Sequence, residues 1–266
     1  MSYRDALVAT LAGYRPLLLD LVAPAGQAPA GGHPVVVYLY GGAPAAGSHK
    51  HSLLGDRVTD RLVAAGFAVA RAQYRHGREA AFPAQVHDVK AAVRWVRHHA
   101  GELELDANRV AAWGHSAGGY LAAMLAVTAD DPEFEGDLGI TGPPSRVGAA
   151  IAWSAPADFT RIPPPPAGSP LHSSGHDPHD WLPGPTASPL LHASATAAPL
   201  LLAHGTDDAG IPIAHSEALV AAYWRAGADA DLVRIEGAGH FYGERKLQHV
   251  TDAGIAFLRN HLTAKA

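Results

Sequence analysis

The chain has 266 residues, 48% of them hydrophobic and 17% charged, which suits one sizeable α/β domain and excludes a disordered chain. A formal net charge of −5 without a basic cluster argues against nucleic acid or an anionic membrane surface as partner. The absence of cysteine rules out disulfides, thiolate chemistry and cysteine-bound zinc. The opening MSYRDALVATLAGYRP lacks the apolar centre of a signal peptide and no apolar stretch is of bilayer-spanning length, so a soluble, cytoplasmic protein is expected.

In chain order, Leu17–Val22 reads as an early strand and the Pro/Gly/Ala-rich Ala23–Gly32 as a loop. His33–Tyr40 (HPVVVYLY) is β-branched and aromatic, a buried strand. Leu53–Gly66 reads as a helix with Val58, Leu62 and Val63 on one face and Gly66 as its stop. Phe67–Tyr74 (FAVARAQY) is the next strand. Pro83 then opens a helix whose apolar stripe is Val86, Val89, Val93 and Val96, with Asp88, Lys90, Arg94 and Arg97 facing away. Arg109–Trp113, Ala149–Trp153, Leu200–Ala203 and Asp231–Ile235 read as further strands, Ser216–Ala226 and Glu244–His261 as further helices.

Strands alternating with helices predict an α/β fold: an open, mostly parallel central sheet covered on both faces, with ligands outside the carboxyl ends of its strands. Asp158–His192 breaks the alternation. Its proline run Pro163–Pro166 is incompatible with a helix or a central strand. It reads as an irregular insertion or lid within a single domain spanning 1–266.

The chemistry centres on residues 110–124, VAAWGHSAGGYLAAM. An apolar run reaches Gly114, Ser116 follows, and helical spacing begins after Gly118 and Gly119. Glycines on both sides of one serine indicate a turn too tight for a Cβ. The pattern is a strand, a sharp turn and a helix with the serine hydroxyl at the apex, the G-x-S-x-G elbow of a nucleophile. The simpler reading is a serine that caps the helix.

A serine hydroxyl needs a base. Most histidines here lie on helices or beside charged residues, but His240 sits in the small-residue loop Glu236-Gly237-Ala238-Gly239-His240-Phe241 directly after the last strand. The base needs a carboxylate to fix its tautomer. Asp207 and Asp208 in LLAHGTDDAGIP stand just beyond another strand, and either could supply it. Oxyanion donors are expected from the Gly41-Gly42-Ala43-Pro44 turn, where Gly42 and Ala43 carry N–H groups and Pro44 has none, and from Ala117 after the nucleophile.

Together these stretches resemble the α/β-hydrolase superfamily, and within it the carboxylesterases of the hormone-sensitive-lipase-like and bacterial feruloyl/acetyl-xylan esterase type. The resemblance runs through the Tyr40–Gly47 turn, Gln73-Tyr74-Arg75, Phe82–Gly119, His204–Pro212 and Gly237–His240. It implies Ser116 as nucleophile, Asp208 as acid, His240 as base, and oxyanion donors at Gly42 or Ala43 and at Ala117. The family turn usually opens with histidine and carries three glycines and an aromatic residue. Here Tyr40 replaces the histidine, and Ala43-Pro44 the third glycine and the aromatic.

The resemblance implies a cofactor-free serine hydrolase acting on a small carboxylic ester, with an aryl formamide or other amide as the alternative substrate. A non-catalytic binding protein on the same fold is a different class, disfavoured because no triad member is missing. A metal site built from His172, His176, His179, Asp177 and Asp180 is disfavoured by the loop-like sequence around them, and no metal is expected.

Overall fold

The computed structural model describes residues 2–42, 50–77, 79–129, 131–161 and 185–262. Its strands are β1 (Ser2–Ala9), β2 (Leu17–Val22), β3 (His33–Leu39), β4 (Ala68–Ala72), β5 (Leu105–His115), β6 (Ala150–Trp153), β7 (Leu200–Gly205) and β8 (Ala230–Ile235). The α-helices are α1 (Leu53–Ala64), α2 (Ala84–His98), α3 (Ala117–Val127), α4 (Ala214–Ala226) and α5 (Glu244–His261). The strands form one 8-stranded sheet in the order β1-β2-β4-β3-β5-β6-β7-β8. β2 is antiparallel to β1 and β4, and β4, β3, β5, β6, β7 and β8 run parallel. This is the α/β-hydrolase fold.

Alternation along each strand divides the core into two layers, because successive side chains point to opposite faces. Val35, Val37, Leu39, Val110 and Ala112 pack with α2, α3 and α4 through residues such as Val89, Leu121 and Leu219. Val36, Tyr38, Ala111, Trp113 and Trp153 pack on the other face with Val58 and Leu62 of α1 and Leu258 of α5. The inner parallel strands β4, β3, β6 and β7 are buried on both faces, which explains why they read as nearly continuous apolar runs, whereas the edge strand β8 is not. From β3 the chain builds β4 on one side and β5 on the other, so a crevice opens at the carboxyl ends of β3 and β5.

Two local features depart from the sequence-based expectation. The N-terminal segment forms β1, although it shows no strand pattern. Within β1 only Val8 and Ala9 are buried, and the strand is held chiefly by its backbone ladder to β2. On α2, Asp88, Lys90 and Arg94, which the helical pattern sets facing away from the apolar stripe, are buried. The excursion between α3 and β6 covers that face. Lys90 Nζ donates to Thr128 O at 2.6 Å, and Arg94 donates to the carbonyls of Glu135, Leu138 and Ile140 and to the Glu135 carboxylate. Asp88 accepts from the Arg75 guanidinium at 2.6 Å and from the Arg75 amide at 2.7 Å.

Of the Asp158–His192 segment, Phe159–Arg161, Pro185–Ala187 and Pro189–Leu191 form short 3-10 turns. Residues 162–184, including His172, His176, His179, Asp177 and Asp180, lie outside the described residues. Among the described residues no group of three or more His, Asp or Glu could hold a metal ion, and no helix is long and apolar enough to cross a membrane.

Candidate active site

Ser116 stands between β5 and α3 with φ 56° and ψ −120°, a conformation that side-chain-bearing residues rarely adopt and that costs on the order of 1–3 kcal/mol. The flanking glycines are a steric requirement. A Cβ on Gly114 would lie 2.2 Å from the backbone of Gly118, and one on Gly118 would lie 2.1 Å from Leu39 O. The Ser116 amide donates to Trp153 O on the neighbouring strand at 2.8 Å. Its side chain makes no capping hydrogen bond to α3, so the capping role does not occupy the hydroxyl. Ala117 begins α3, whose first N–H groups lack intrahelical acceptors and form its positive end.

The loop after β7 carries Asp208 and the loop after β8 carries His240. Asp208 Oδ2 is 2.7 Å from His240 Nδ1. Asp208 Oδ1 accepts the backbone N–H groups of Gly210 at 3.0 Å and Ile211 at 2.9 Å. Burial pushes the Asp208 carboxyl up, but hydrogen bonds from His204, His240 and the Ile211 amide outweigh it and hold the group far below the usual carboxylate range. Asp208 therefore stays ionised wherever a histidine titrates.

His204, one turn of chain earlier, is fully buried. Its Nδ1 is 2.7 Å from the Ser216 hydroxyl. Its Nε2 is 2.8 Å from Ile211 O and 3.4 Å from Asp208 Oδ2. Both neighbours of Nε2 are acceptors, so the ring proton sits there and Ser216 donates to Nδ1. Ile211 O is the nearer acceptor, and Asp208 lies on the same side of the ring.

His115 braces the base from below. Its Nε2–H donates to the carbonyl of His240 at 2.8 Å, and its ring lies 4.8 Å from that of His240 and 5.1 Å from that of Phe241. Burial first, and His240 beside it, push the His115 imidazole down to about 4, so it is a neutral donor at working pH. Two residues on, Tyr242 donates to Ala203 O at 2.7 Å and lies 3.0 Å from the Ser154 hydroxyl. The loop is thereby tied to β5, β6 and β7.

Gly41 and Gly42 leave the carboxyl end of β3 beside the elbow. A Cβ on Gly41 would sit 2.8 Å from His115 O and 3.2 Å from Ser116 Cβ. Gly41, Gly42, Ser116 and His240 line one cavity of about 810 Å³. Leu53, Leu54, Phe241 and Leu247 supply its apolar wall, and His51, Arg57 and Glu244 polar positions around it. Ala43 and Pro44 lie outside the described residues. Asp207 is exposed and accepts the Thr206 hydroxyl at 3.1 Å.

The family model for BD-FAE matches residues 19–223. The chain belongs to the BD-FAE family. The matched stretch contains the elbow and Asp208, while a model described as the prolyl oligopeptidase family matches residues 183–265 and so includes His240. Among curated proteins, the probable carboxylic ester hydrolase LipM of Mycobacterium tuberculosis is 31% identical over 70% of this chain and 44% of its own length. Esterase LipC of the same organism is 28% identical over 78% of this chain and 52% of its own. The chain thus spans about half the length of the curated relatives it matches. Two of the solved structures that match over nearly their whole length are esterases. One is a truncated form of a carbohydrate esterase from gut microbiota (TM-score 0.82, 28% identity, 99% of this chain and 97% of that one). The other is Thermogutta terrifontis esterase 2 phosphoramylated by tabun (TM-score 0.79, 26% identity, 100% and 97%).

Beside the BD-FAE elbow, sequence reasoning gave no role to His115, Ser216 or Tyr242, and used His204 only as a motif marker. The histidine directly before the serine of the G-x-S-x-G turn was the one local signal for His115. The roles of Ser216 and Tyr242 depend on loops that meet only in three dimensions.

Proposed function

We propose that this protein is a serine hydrolase that cleaves a small carboxylic ester through an acyl-enzyme intermediate, without a cofactor. The observation that carries the reading is the 2.7 Å contact of Asp208 with His240 Nδ1, beside the same cavity that Ser116 lines.

In this mechanism Asp208 accepts the Nδ1–H of His240, which leaves Nε2 unprotonated and able to take a proton. Ser116 Oγ attacks the ester carbonyl as its proton passes to His240 Nε2. The alkoxide of the tetrahedral intermediate is held by the N–H of Ala117 and by the turn at Gly42 and Ala43. Collapse expels the alcohol, which takes the proton from His240. Water then repeats the sequence on the acyl-enzyme, with His240 again as base, and releases the carboxylic acid. The strained Ser116 backbone and the positive end of α3 suit this role, since both hold the oxygen and its developing charge in place before the reaction.

The relatives named above are called esterases or ester hydrolases, which favours an ester over a formamide. The presence of all three candidate residues disfavours the binding-protein reading. A fluorophosphonate probe tests the proposal: the wild-type protein is expected to be labelled at Ser116 and to lose hydrolysis of p-nitrophenyl acetate in proportion. Labelling elsewhere, or undiminished hydrolysis by the fully labelled protein, would refute it.

A further inference from the structure

The turn that carries Gly42 and Ala43 begins at Tyr40, where the related esterases usually have histidine. Tyr40 is buried against Tyr74, which follows β4, with ring centroids 4.5 Å apart and 16° between the planes. The Tyr74 hydroxyl donates to the Tyr40 carbonyl at 2.7 Å, and the Tyr40 hydroxyl donates to the Tyr74 carbonyl at 3.3 Å. The β3–β4 ladder ends at the pair Leu39–Ala72, so this reciprocal clasp continues the hold between the two chains beyond the sheet. The next residue, Gly41, passes so close to the elbow that a Cβ on it would sit 2.8 Å from His115 O and 3.2 Å from Ser116 Cβ. Any displacement of the Tyr40 carbonyl rotates the peptide that leads into Gly41 and Gly42.

Where the described residues resume after Gly42, at Lys50, the chain is held differently. Lys50 Nζ is buried and bonded to Asp20 Oδ1 of β2 at 2.7 Å and to Asp5 Oδ1 of β1 at 2.5 Å. His51 Nε2 lies 2.9 Å from Asp20 Oδ2, and His51 is itself a wall residue of the cavity around Ser116. Asp20 therefore holds Lys50 and stands beside the wall residue His51, although it sits on the far, antiparallel side of the sheet.

We propose that Tyr74 and Asp20 are positioning residues for the oxyanion hole, acting from outside the cavity on the chain before and after it: Tyr74 at Tyr40, and Asp20 at Lys50 and His51. This rests on the reading of Gly42, Ala43 and Ala117 as the oxyanion donors. Neither Tyr74 nor Asp20 lines the cavity, so both act through the chain that flanks the turn. The physical reason is preorganisation: donors stabilise a developing alkoxide only if they point at it beforehand, and removing one such donor outright costs about 10²–10³ in rate. Burial raises the Tyr74 phenol well above its ordinary range, so it remains a donor at every working pH.

The test uses Tyr74→Phe, which retains the stacked ring, and Asp20→Asn, which removes the charge. Each is assayed on p-nitrophenyl acetate and against a trifluoromethyl ketone, whose carbonyl adds Ser116 Oγ and becomes an alkoxide while His240 takes the proton. Each variant is expected to lose kcat by about tenfold with KM within twofold, a misaligned donor costing less than an absent one. Affinity for the trifluoromethyl ketone should fall by the same factor as kcat/KM, while the acid limb of the pH profile stays in place. A merely structural role would lower the melting temperature and leave the ketone affinity and kcat of the folded fraction unchanged, which would overturn the proposal. If Tyr74→Phe does not fold, Asp20→Asn decides by the same criteria. If the wild-type protein binds the trifluoromethyl ketone no better than the corresponding methyl ketone, the assignment of the oxyanion donors itself fails.

Discussion

His240 Nδ1 lies 2.7 Å from Oδ2 of Asp208, whereas Asp207, the preceding residue in the same turn, faces solvent beside Thr206. Adjacent residues in the turn diverge, so one carboxylate is directed to the imidazole and the other away from it. Asp208→Asn is expected to lose about 10⁴ in kcat, because the amide favours the wrong histidine tautomer. Asp207→Asn should retain wild-type kcat within about twofold, since exposed substitutions rarely matter. Steady-state kinetics on p-nitrophenyl acetate, with melting curves for both variants, check this. The opposite ranking would exchange the two roles.

His204 presents its Nε2–H toward Ile211 O and Asp208 Oδ2 from within the core. A hydrogen bond to a charged group contributes about 1.5–3 kcal/mol, which corresponds to roughly 10–100-fold in rate if it is felt in the transition state. His204→Phe should lower kcat by that order, while His204→Gln, which can keep an N–H donor, should recover part of the loss. Equal kcat for the two variants would show that the ring serves packing alone.

The buried His115 gives stability a pH dependence of definite sign. It ionises at about 4 in the folded protein against 6.5 for an unperturbed histidine. Between those values the unfolded chain takes a proton that the folded chain refuses. Its contribution to stability is complete above pH 6.5 and is lost as the pH falls toward 4, by up to about 3 kcal/mol. Melting temperatures of His115→Gln and wild type, measured from pH 7.5 to 4, should therefore converge on acidification. Parallel curves would contradict the assignment.

Glu135 neutralises two cations that the helical pattern of α2 placed on an outer face. Lys90 Nζ and Arg94 Nη1 approach it at 3.2 Å and 2.5 Å, and both are buried. Glu135→Ala should destabilise the fold by about 2 kcal/mol. That is less than for a wholly buried pair, because the Glu135 carboxylate reaches water. Denaturant unfolding measures the loss, and an unchanged midpoint would mean that the backbone carbonyls around Arg94 and Lys90 suffice.

Gly118→Ala tests the elbow without altering a reactive group. The added Cβ would meet Leu39 O at 2.1 Å, a backbone atom held in the β3–β5 pairing. A loss of about 3 kcal/mol in stability is expected, at the upper end for overpacking. A variant as stable as the parent would show that the elbow can open.

The class of fold and the strand–turn–helix around Ser116 were legible from the sequence alone, because both depend on local spacing. Apolar alternation and glycines two residues either side of the serine act within one or two turns of chain. The α2 charges were misjudged for the converse reason: periodicity shows which face turns from the sheet, but not that residues 131–146 fold over it. β1 escaped notice because its hold is a backbone ladder, which leaves no side-chain signature. The choice between Asp207 and Asp208 as the partner of His240 needed more than the residues themselves, since both stand in one turn. Only the tertiary structure brought the β7 and β8 loops together, set His115 beneath His240, and joined Tyr40 to Tyr74 across 33 intervening positions. Those contacts arise where separate strand ends converge on one edge of the sheet, and no local spacing encodes that convergence.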